Sequence, residues 1–248
     1  MPVAVLQTNL NRPSIEQLKR AFAHVPGLTP ADAFILGRDA YGVLVKDFST
    51  EQAIAMQRAL RTEGIETEIV DHGLLPQIPP SKHVQRLDVT PEHLVIYDPL
   101  NRTFALEWKH VTLISAGAVK LSEFVRVQVP NPMRALEVEG TEILSATSTE
   151  TREKRAVHLL ADFIVAGGSL RYSMIAEKFN FLGLGNRRTR DADVNFVSFM
   201  TSALQYASHA VLNSGAEALS AGRIAEFPSK NAYLEEMVWR LWQLKRTA

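Results

Sequence analysis

A proline-rich segment, His72 to Lys82 (HGLLPQIPPSK), constrains the fold of this chain more than any other feature of the sequence. It contains three prolines and shows no hydrophobic periodicity, which is typical of a linker. The chain's 248 residues also fit two domains. We therefore predict a domain over residues 1–72, a linker over 73–82, a second domain over 83–215 and a helical extension over 216–248.

Strand and helix signals alternate before this segment. Short apolar runs bounded by turn residues predict three strands, at Pro2–Thr8, Tyr41–Phe48 and Ile65–Val70. Three helices are predicted to begin at capping residues, namely Ser14, Thr29 and either Ser49 or Thr50. In the first helix, apolar residues recur at helical spacing at Ile15, Leu18, Phe22 and Val25. The predicted order is β-α-α-β-α-β.

This order resembles the C-terminal domain of the ribosomal stalk protein and, more loosely, the Clp protease adaptor that shares its architecture. The resemblance covers residues 1–71 and is carried by three segments, GLTPADA (Gly27–Ala33), GVLVKDFSTEQAIAMQRAL (Gly42–Leu60) and EGIETEIV (Glu63–Val70). Both relatives are protein-docking modules rather than enzymes. The resemblance therefore implies that this region binds a protein partner.

The predicted docking surface is the groove between the first two helices. The stalk domain presents lysines on both of these helices, whereas Asp32, Ala33 and Phe34 stand where the second helix would be basic. This departure argues against stalk function itself. The candidate partner-binding residues in the groove are Lys19, Arg20, Phe22 and Phe34.

Beyond the linker, strand-like runs recur at short intervals and predict a meander. These runs are Val84–Val89, His93–Tyr97, Thr103–Trp108, Val111–Ser115, Arg155–Val165 and Leu170–Phe181. Arg155–Val165 also fits a helical period, so a helix remains the alternative there. The stretch from Val119 to Glu153 is polar and poorly patterned, and its order stays open. An amphipathic helix is predicted from Asp193 to about Leu212.

Strands that close on a helix, together with the run FALEWKHVTLI (Phe104–Ile114), resemble a bacterial pleckstrin-homology-like domain. We therefore predict an α+β chain. A small β-α-α-β-α-β domain is followed by a pleckstrin-homology-like β-barrel with a capping helix. A C-terminal amphipathic helix (Tyr233–Arg246) follows, and its Trp239 and Trp242 predict packing against the barrel or self-association.

Composition narrows the classes of function. The absence of cysteine excludes disulfides, thiolate metal sites and cysteine nucleophiles, and it fits a reducing compartment. Because 27 basic residues balance 27 acidic ones, no overall field favours nucleic acid or an anionic membrane as the partner. Met1–Leu10 lacks the features of a signal peptide, and no apolar run is long enough to span a bilayer. We expect a cytoplasmic protein.

Motifs that carry catalytic chemistry are missing. The sequence has no nucleophile elbow, P-loop, zinc-protease motif or calcium loop. No two of the seven histidines are three or four residues apart, so local metal-ligand spacing is absent as well. We expect no cofactor, no metal site and no enzymatic activity, with an enzyme built from dispersed residues as an alternative.

One local basic concentration stands out in this neutral chain. Its members are Arg171, Lys178, Arg187, Arg188 and Arg190. Guanidinium groups bind phosphate oxygens bidentately, so these residues are candidates for anion binding. The alternative is a solvated loop that Asp191 and Asp193 partly neutralise. The first hypothesis is therefore a non-enzymatic cytoplasmic adaptor or scaffold for protein partners, and the second is a binder of phosphoinositides or nucleic acid through Arg187–Arg190.

Overall fold

A computed structural model describes residues 1–130 and 147–247, and it confirms an α+β chain. The first half contains β1 (Val3–Gln7), α1 (Ile15–Phe22), α2 (Pro30–Asp39), β2 (Val43–Phe48), α3 (Thr50–Thr62) and β3 (Thr67–Asp71). The predicted strands and helices of this region are confirmed in that order. The three strands form an antiparallel sheet in the order β2-β1-β3, with its core between the sheet and the helices.

Local capping explains why these three helices begin where they do. The side chains of Ser14, Thr29 and Ser49 each accept a hydrogen bond from the backbone N–H three residues later. The residue at that position bonds back to the cap's own N–H, as in Ser14 N to Gln17 Oε1 at 3.0 Å. Each box satisfies two N–H groups that a helix start leaves without partners.

The second half contains many more strands. They are β4 (Ser81–His83), β5 (Leu87–Val89), β6 (His93–Tyr97), β7 (Thr103–Glu107), β8 (Val111–Pro130), β9 (Thr147–Val165), β10 (Leu170–Ile175), β11 (Val211–Leu212) and β12 (Glu226–Phe227). The helices are α4 (Ala192–Tyr206), α5 (Ser214–Ser220) and α6 (Lys230–Thr247). A small sheet has the order β5-β6-β7, and a larger one has the order β11-β8-β9-β10-β4 with β12 also beside β8.

The described strands do not close into a barrel, so the predicted barrel is wrong in that respect. Two open sheets enclose a core that α4 and α5 also line. The physical reason lies at β8. Its outer edge pairs with β11 at Leu113 and Ile114 and with β12 at Ala118 and Val119. No pairing between β7 and β8 occurs in the described residues, because other strands already take that edge.

A long antiparallel ribbon replaces much of the stretch that seemed unpatterned. β8 and β9 pair from Val111↔Val165 as far as Pro130↔Thr147. Residues 119–130 and 147–153 are therefore strand, while residues 131–146 of that stretch lie outside the described part of the chain. Arg155–Val165 is strand and not helix, which confirms the first interpretation. The helix predicted to reach Leu212 ends at Tyr206, since Val211 and Leu212 pair with β8.

Helix α6 packs between the two halves of the chain. On one side Val238 and Trp239 contact the face of the first sheet that α1–α3 leave open, where Ala4, Leu6 and Val43 are buried. On the other side α6 covers the larger sheet, in a cluster that comprises Tyr233, Met237, Leu241, Leu113, Leu160 and Ile164. Gly42 permits the close approach: a Cβ there would lie 2.6 Å from the Trp239 Cβ, and its φ of +76° favours glycine.

The predicted linker segment contributes to this junction. Leu75 is buried in the cluster around Trp239, and Ile78 borders the clusters on both sides of α6. Ser81–His83 adds strand β4 to the larger sheet, parallel to β10. In residues 1–130 and 147–247, no helix has both the length and the apolar character needed to cross a membrane.

Candidate functional site

Helix α2 exposes two adjacent large apolar side chains. Phe34 is 53% exposed and Ile35 is 54% exposed, although both lie in the middle of the helix. The opposite side of α2 is packed, since Ala33 is buried and Gly37 lies against the Leu18 side chain. The side of α2 that faces solvent therefore carries large apolar side chains, although only the opposite side packs against the core. Such a surface is typical of an interaction site. We call Phe34 and Ile35 the α2 surface.

Both ends of α2 are held in place. Thr29 caps the start of the helix, and its N–H donates to Asp32 Oδ2 at 2.8 Å. At the other end Asp39 accepts hydrogen bonds from the Ser229 hydroxyl at 2.5 Å and from the Asn231 amide at 3.0 Å, both beside the start of α6. Partial burial acts to raise the pKa of Asp39, but hydrogen bonds from Arg38, Ser229 and Asn231 outweigh it and hold that pKa below its ordinary value. The α2 surface is therefore presented by a fixed helix.

Of the other residues predicted for this surface, one is buried in the core and two form ion pairs. Phe22 is only 1% exposed and belongs to the core, so its ring is not on the surface where the prediction placed it. Arg20 donates two hydrogen bonds to Glu63, including one from Nε at 2.9 Å, and this contact lowers the pKa of Glu63. Lys19 pairs with Glu16 at 2.8 Å. Of the four residues predicted for this surface, only Phe34 is an apolar residue with an exposed side chain.

The arginine loop, residues 187–190, lies between a 3-10 segment (Leu182–Arg187) and α4. Arg188 and Arg190 line a cleft of about 530 Å³. Within the described residues neither side chain forms an ion pair. Thr189 fixes the loop, because its N–H donates to Asn195 Oδ1 at 2.7 Å and its carbonyl accepts from Asn195 Nδ2 at 2.9 Å.

One carboxylate lines the same cleft and two more lie on the adjacent start of α4, and their negative charge opposes the binding of anions. Glu177 is part of its lining, and Asp191 caps α4 by accepting from the N–H of Asp193 at 2.8 Å. Burial raises the pKa of Asp193, and the nearby charges of Asp191 and Glu177 raise it further. Burial alone would raise this pKa, but the smaller contributions of Asp191 and Glu177 show that carboxylates lie beside the two arginines. The cleft is therefore a mixed site and not a uniformly basic one.

The remaining predicted anion-binding residues are elsewhere. Arg171 is 7% exposed and its Nε donates to Asp162 Oδ1 at 2.7 Å, so its guanidinium is buried against an internal carboxylate rather than on the surface where the prediction placed it. Lys178 is exposed on a short 3-10 turn outside the cleft lining. Arg187 Nη1 donates a hydrogen bond to the Ser202 hydroxyl at 3.3 Å. The structure thus brings together Arg188 and Arg190 and separates them from Arg171.

A buried polar network is the main feature that sequence reasoning missed. Asp162, 2% exposed, accepts from Arg171 and from the Ser173 hydroxyl, and Ser173 accepts from the Ser81 hydroxyl at 2.7 Å. Burial, together with the charge of Asp162, raises the pKa of Tyr233 on α6 well above its ordinary value. The one sequence signal is a lone carboxylate within the apolar run LLADFIV. In the described part of the chain no three potential metal ligands cluster.

Both tryptophans of α6 are engaged inside the chain. The Trp239 indole donates to the Gln7 carbonyl at 2.6 Å, and the Trp242 indole donates to Glu68 at 3.1 Å. Self-association through them stays a prediction. Comparison of the chain with family models, with curated proteins and with solved structures finds no match.

Proposed function

We propose that this chain is a non-enzymatic cytoplasmic adaptor or scaffold that binds a protein partner through the α2 surface. The observation that carries the proposal is the exposure of Phe34 and Ile35 side by side on a well-capped helix. Exposing both side chains to water is unfavourable, and a partner that covers them would remove that penalty. The resemblance of residues 1–71 to protein-docking modules supports the same proposal.

The partner is expected to present an apolar groove or helix face. Helix-in-groove recognition uses large apolar anchors of this kind, and aromatic anchors commonly dominate the binding energy. The contacts of α6 with both halves suit a scaffold, and the bonds of Ser229 and Asn231 to Asp39 join the start of α6 to the end of α2.

Replacing either anchor should weaken partner binding without unfolding the chain. We expect Phe34→Asp or Ile35→Asp to lower the affinity by about tenfold or more, the loss of one anchor at an interface. Ile54→Asp is the matched control, since Ile54 is also an exposed apolar helix residue but lies on α3. Partners recovered from native cells would be purified and titrated against each variant by calorimetry.

A photo-crosslinking amino acid at position 34 gives a second test in cells. It should yield a discrete adduct with a partner, and the same amino acid at position 54 should yield none. No adduct at position 34, or equal affinity of the Asp variants and the wild-type chain, would contradict the proposal.

A second candidate function is binding of phosphate groups, on phosphoinositides or nucleic acid, by the arginine loop. It is favoured by one observation, the absence of ion pairs on Arg188 and Arg190 within the described residues. Such binding should weaken steeply with added salt, and Arg188→Gln with Arg190→Gln should abolish it. Affinity for phosphoinositide vesicles that is unchanged between about 50 and 200 mM salt would exclude this function. An enzyme built from dispersed residues is the remaining alternative.

A further inference from the structure

A cavity of about 340 Å³ lies between the two sheets of the second half, away from the α2 surface and the arginine loop. Val84, Ile96, Phe104 and Tyr172 give it an apolar floor, while Lys82 and Asp98 stand at its rim. Pockets that bind small molecules have a similar make-up, with apolar walls and a few polar groups, in volumes of roughly 300–1,000 Å³. This cavity falls at the lower end of that range.

Phe104 indicates that the apolar floor is incompletely covered. On β6 and β7 the pairs Leu94↔Leu106 and Ile96↔Phe104 place four side chains on the same face of the small sheet. Leu94, Leu106 and Ile96 are buried in the core, but Phe104 is 57% exposed. A ring on the core-facing side of a sheet therefore borders open space.

The rim of the cavity carries positive charge. The Lys82 ammonium lies 6.0 Å from the centre of the Tyr172 ring and forms no ion pair within the described residues. The carboxylate of Asp98 is already engaged, by Arg102 Nε at 2.6 Å and by the backbone N–H groups of Leu100 at 2.8 Å and Arg102 at 2.9 Å. Since Arg102 balances Asp98, Lys82 supplies the one ammonium or guanidinium group of the lining that has no carboxylate partner in the described residues, and the His83 imidazole lies in the same lining.

We propose that this cavity binds a small amphipathic monocarboxylate. Its apolar tail would contact Phe104 and Ile96, and its carboxylate would lie at Lys82. A single unpaired ammonium group, with no arginine free to bind oxygens bidentately, favours a monoanion over a phosphate group, which carries more charge and more acceptor oxygens. The cavity's volume favours a short chain or one ring over a protein segment. This inference is independent of the function proposed for the α2 surface.

Octanoate and 1-octanol are a matched pair of probes, because they share the tail and differ in charge. Titration into the full chain with methyl-labelled Val and Ile should give saturable chemical-shift changes at Val84 and Ile96. Lys82→Met should weaken octanoate by about threefold to fivefold, the range of an exposed charge pair, and leave octanol unchanged. Phe104→Ala should weaken both probes by about fivefold, because both lose the same apolar contact.

Lys109→Met is the control for charge, since Lys109 is exposed, pairs with Glu107 and does not line the cavity. It should leave both affinities unchanged. The proposal is overturned if octanoate gives no saturable shift at Val84 and Ile96. It is equally overturned if octanol binds as tightly as octanoate, or if Lys82→Met weakens the two probes alike.

Discussion

Replacing Trp239 with alanine is expected to lower the free energy of unfolding by about 3–5 kcal/mol, as for other large aromatic side chains removed from a core. The indole is buried where α6 meets the first sheet, and its N–H donates to the Gln7 carbonyl at 2.6 Å. Alanine would leave a cavity and a carbonyl without its donor, and each of these destabilises the folded state.

Urea unfolding followed by circular dichroism measures this loss. Trp242→Ala is the matched control, because the Trp242 indole is only partly buried and its acceptor Glu68 keeps a second partner, Arg246, at 2.8 Å. Its effect should be clearly smaller. A Trp239→Ala variant within about 1 kcal/mol of the wild-type chain, the size of an ordinary substitution, would contradict the placement of α6.

Replacing Asp162 with alanine is the second change with a large expected effect, again about 3–5 kcal/mol. The substitution removes the carboxylate that neutralises Arg171, and that guanidinium lies in the interior of the larger sheet. A buried charge without a partner carries its full desolvation penalty, which explains the size of the loss.

The double variant Asp162→Leu with Arg171→Met tests that explanation. Removing both charges should destabilise the chain much less than Asp162→Ala alone, because no unpaired ion remains. Ser173 would lose its acceptor in both cases, so its contribution cancels in the comparison. Thermal and urea unfolding of the three proteins would decide. Equal losses in the single and double variants would show that the guanidinium is not the source of the penalty.

The elements of the first half could be predicted from the sequence because their signals are local. Ser14 with Gln17, Thr29 with Asp32 and Ser49 with Gln52 are close enough in the chain to be recognised as capping boxes. The same periodicity that predicted α1 also put Phe22 on its apolar stripe with Leu18. That pattern indicates a core position for Phe22, whereas the resemblance to docking modules implied a place on the binding surface.

The arrangement of the second half depends on contacts between distant residues. The edge of β8 is closed by Val211 and Leu212, about a hundred positions later in the chain, and no local pattern announces this pairing. The same is true of Arg171: its charge suggested a surface role, and only the fold places Asp162 beside it. Phe34 was accessible to sequence reasoning because it stands where a resembling domain has basic residues. The cavity beside Phe104 could not be predicted from the sequence, since its lining comes from β4, β6, β7 and β10, which lie far apart in the chain.

The position of α6 between two sheets also sets an order for biosynthesis. This helix follows every other described element along the chain, so a ribosome delivers it after both sheets have emerged. Until then Ala4, Leu6 and Val43 on one sheet and Leu160 and Ile164 on the other lack their apolar cover. Exposed apolar faces of this kind bind chaperones and aggregate. We therefore expect a vulnerable stage of the nascent chain that ends when α6 docks, with Trp239 on the first sheet and Met237 and Leu241 on the larger one.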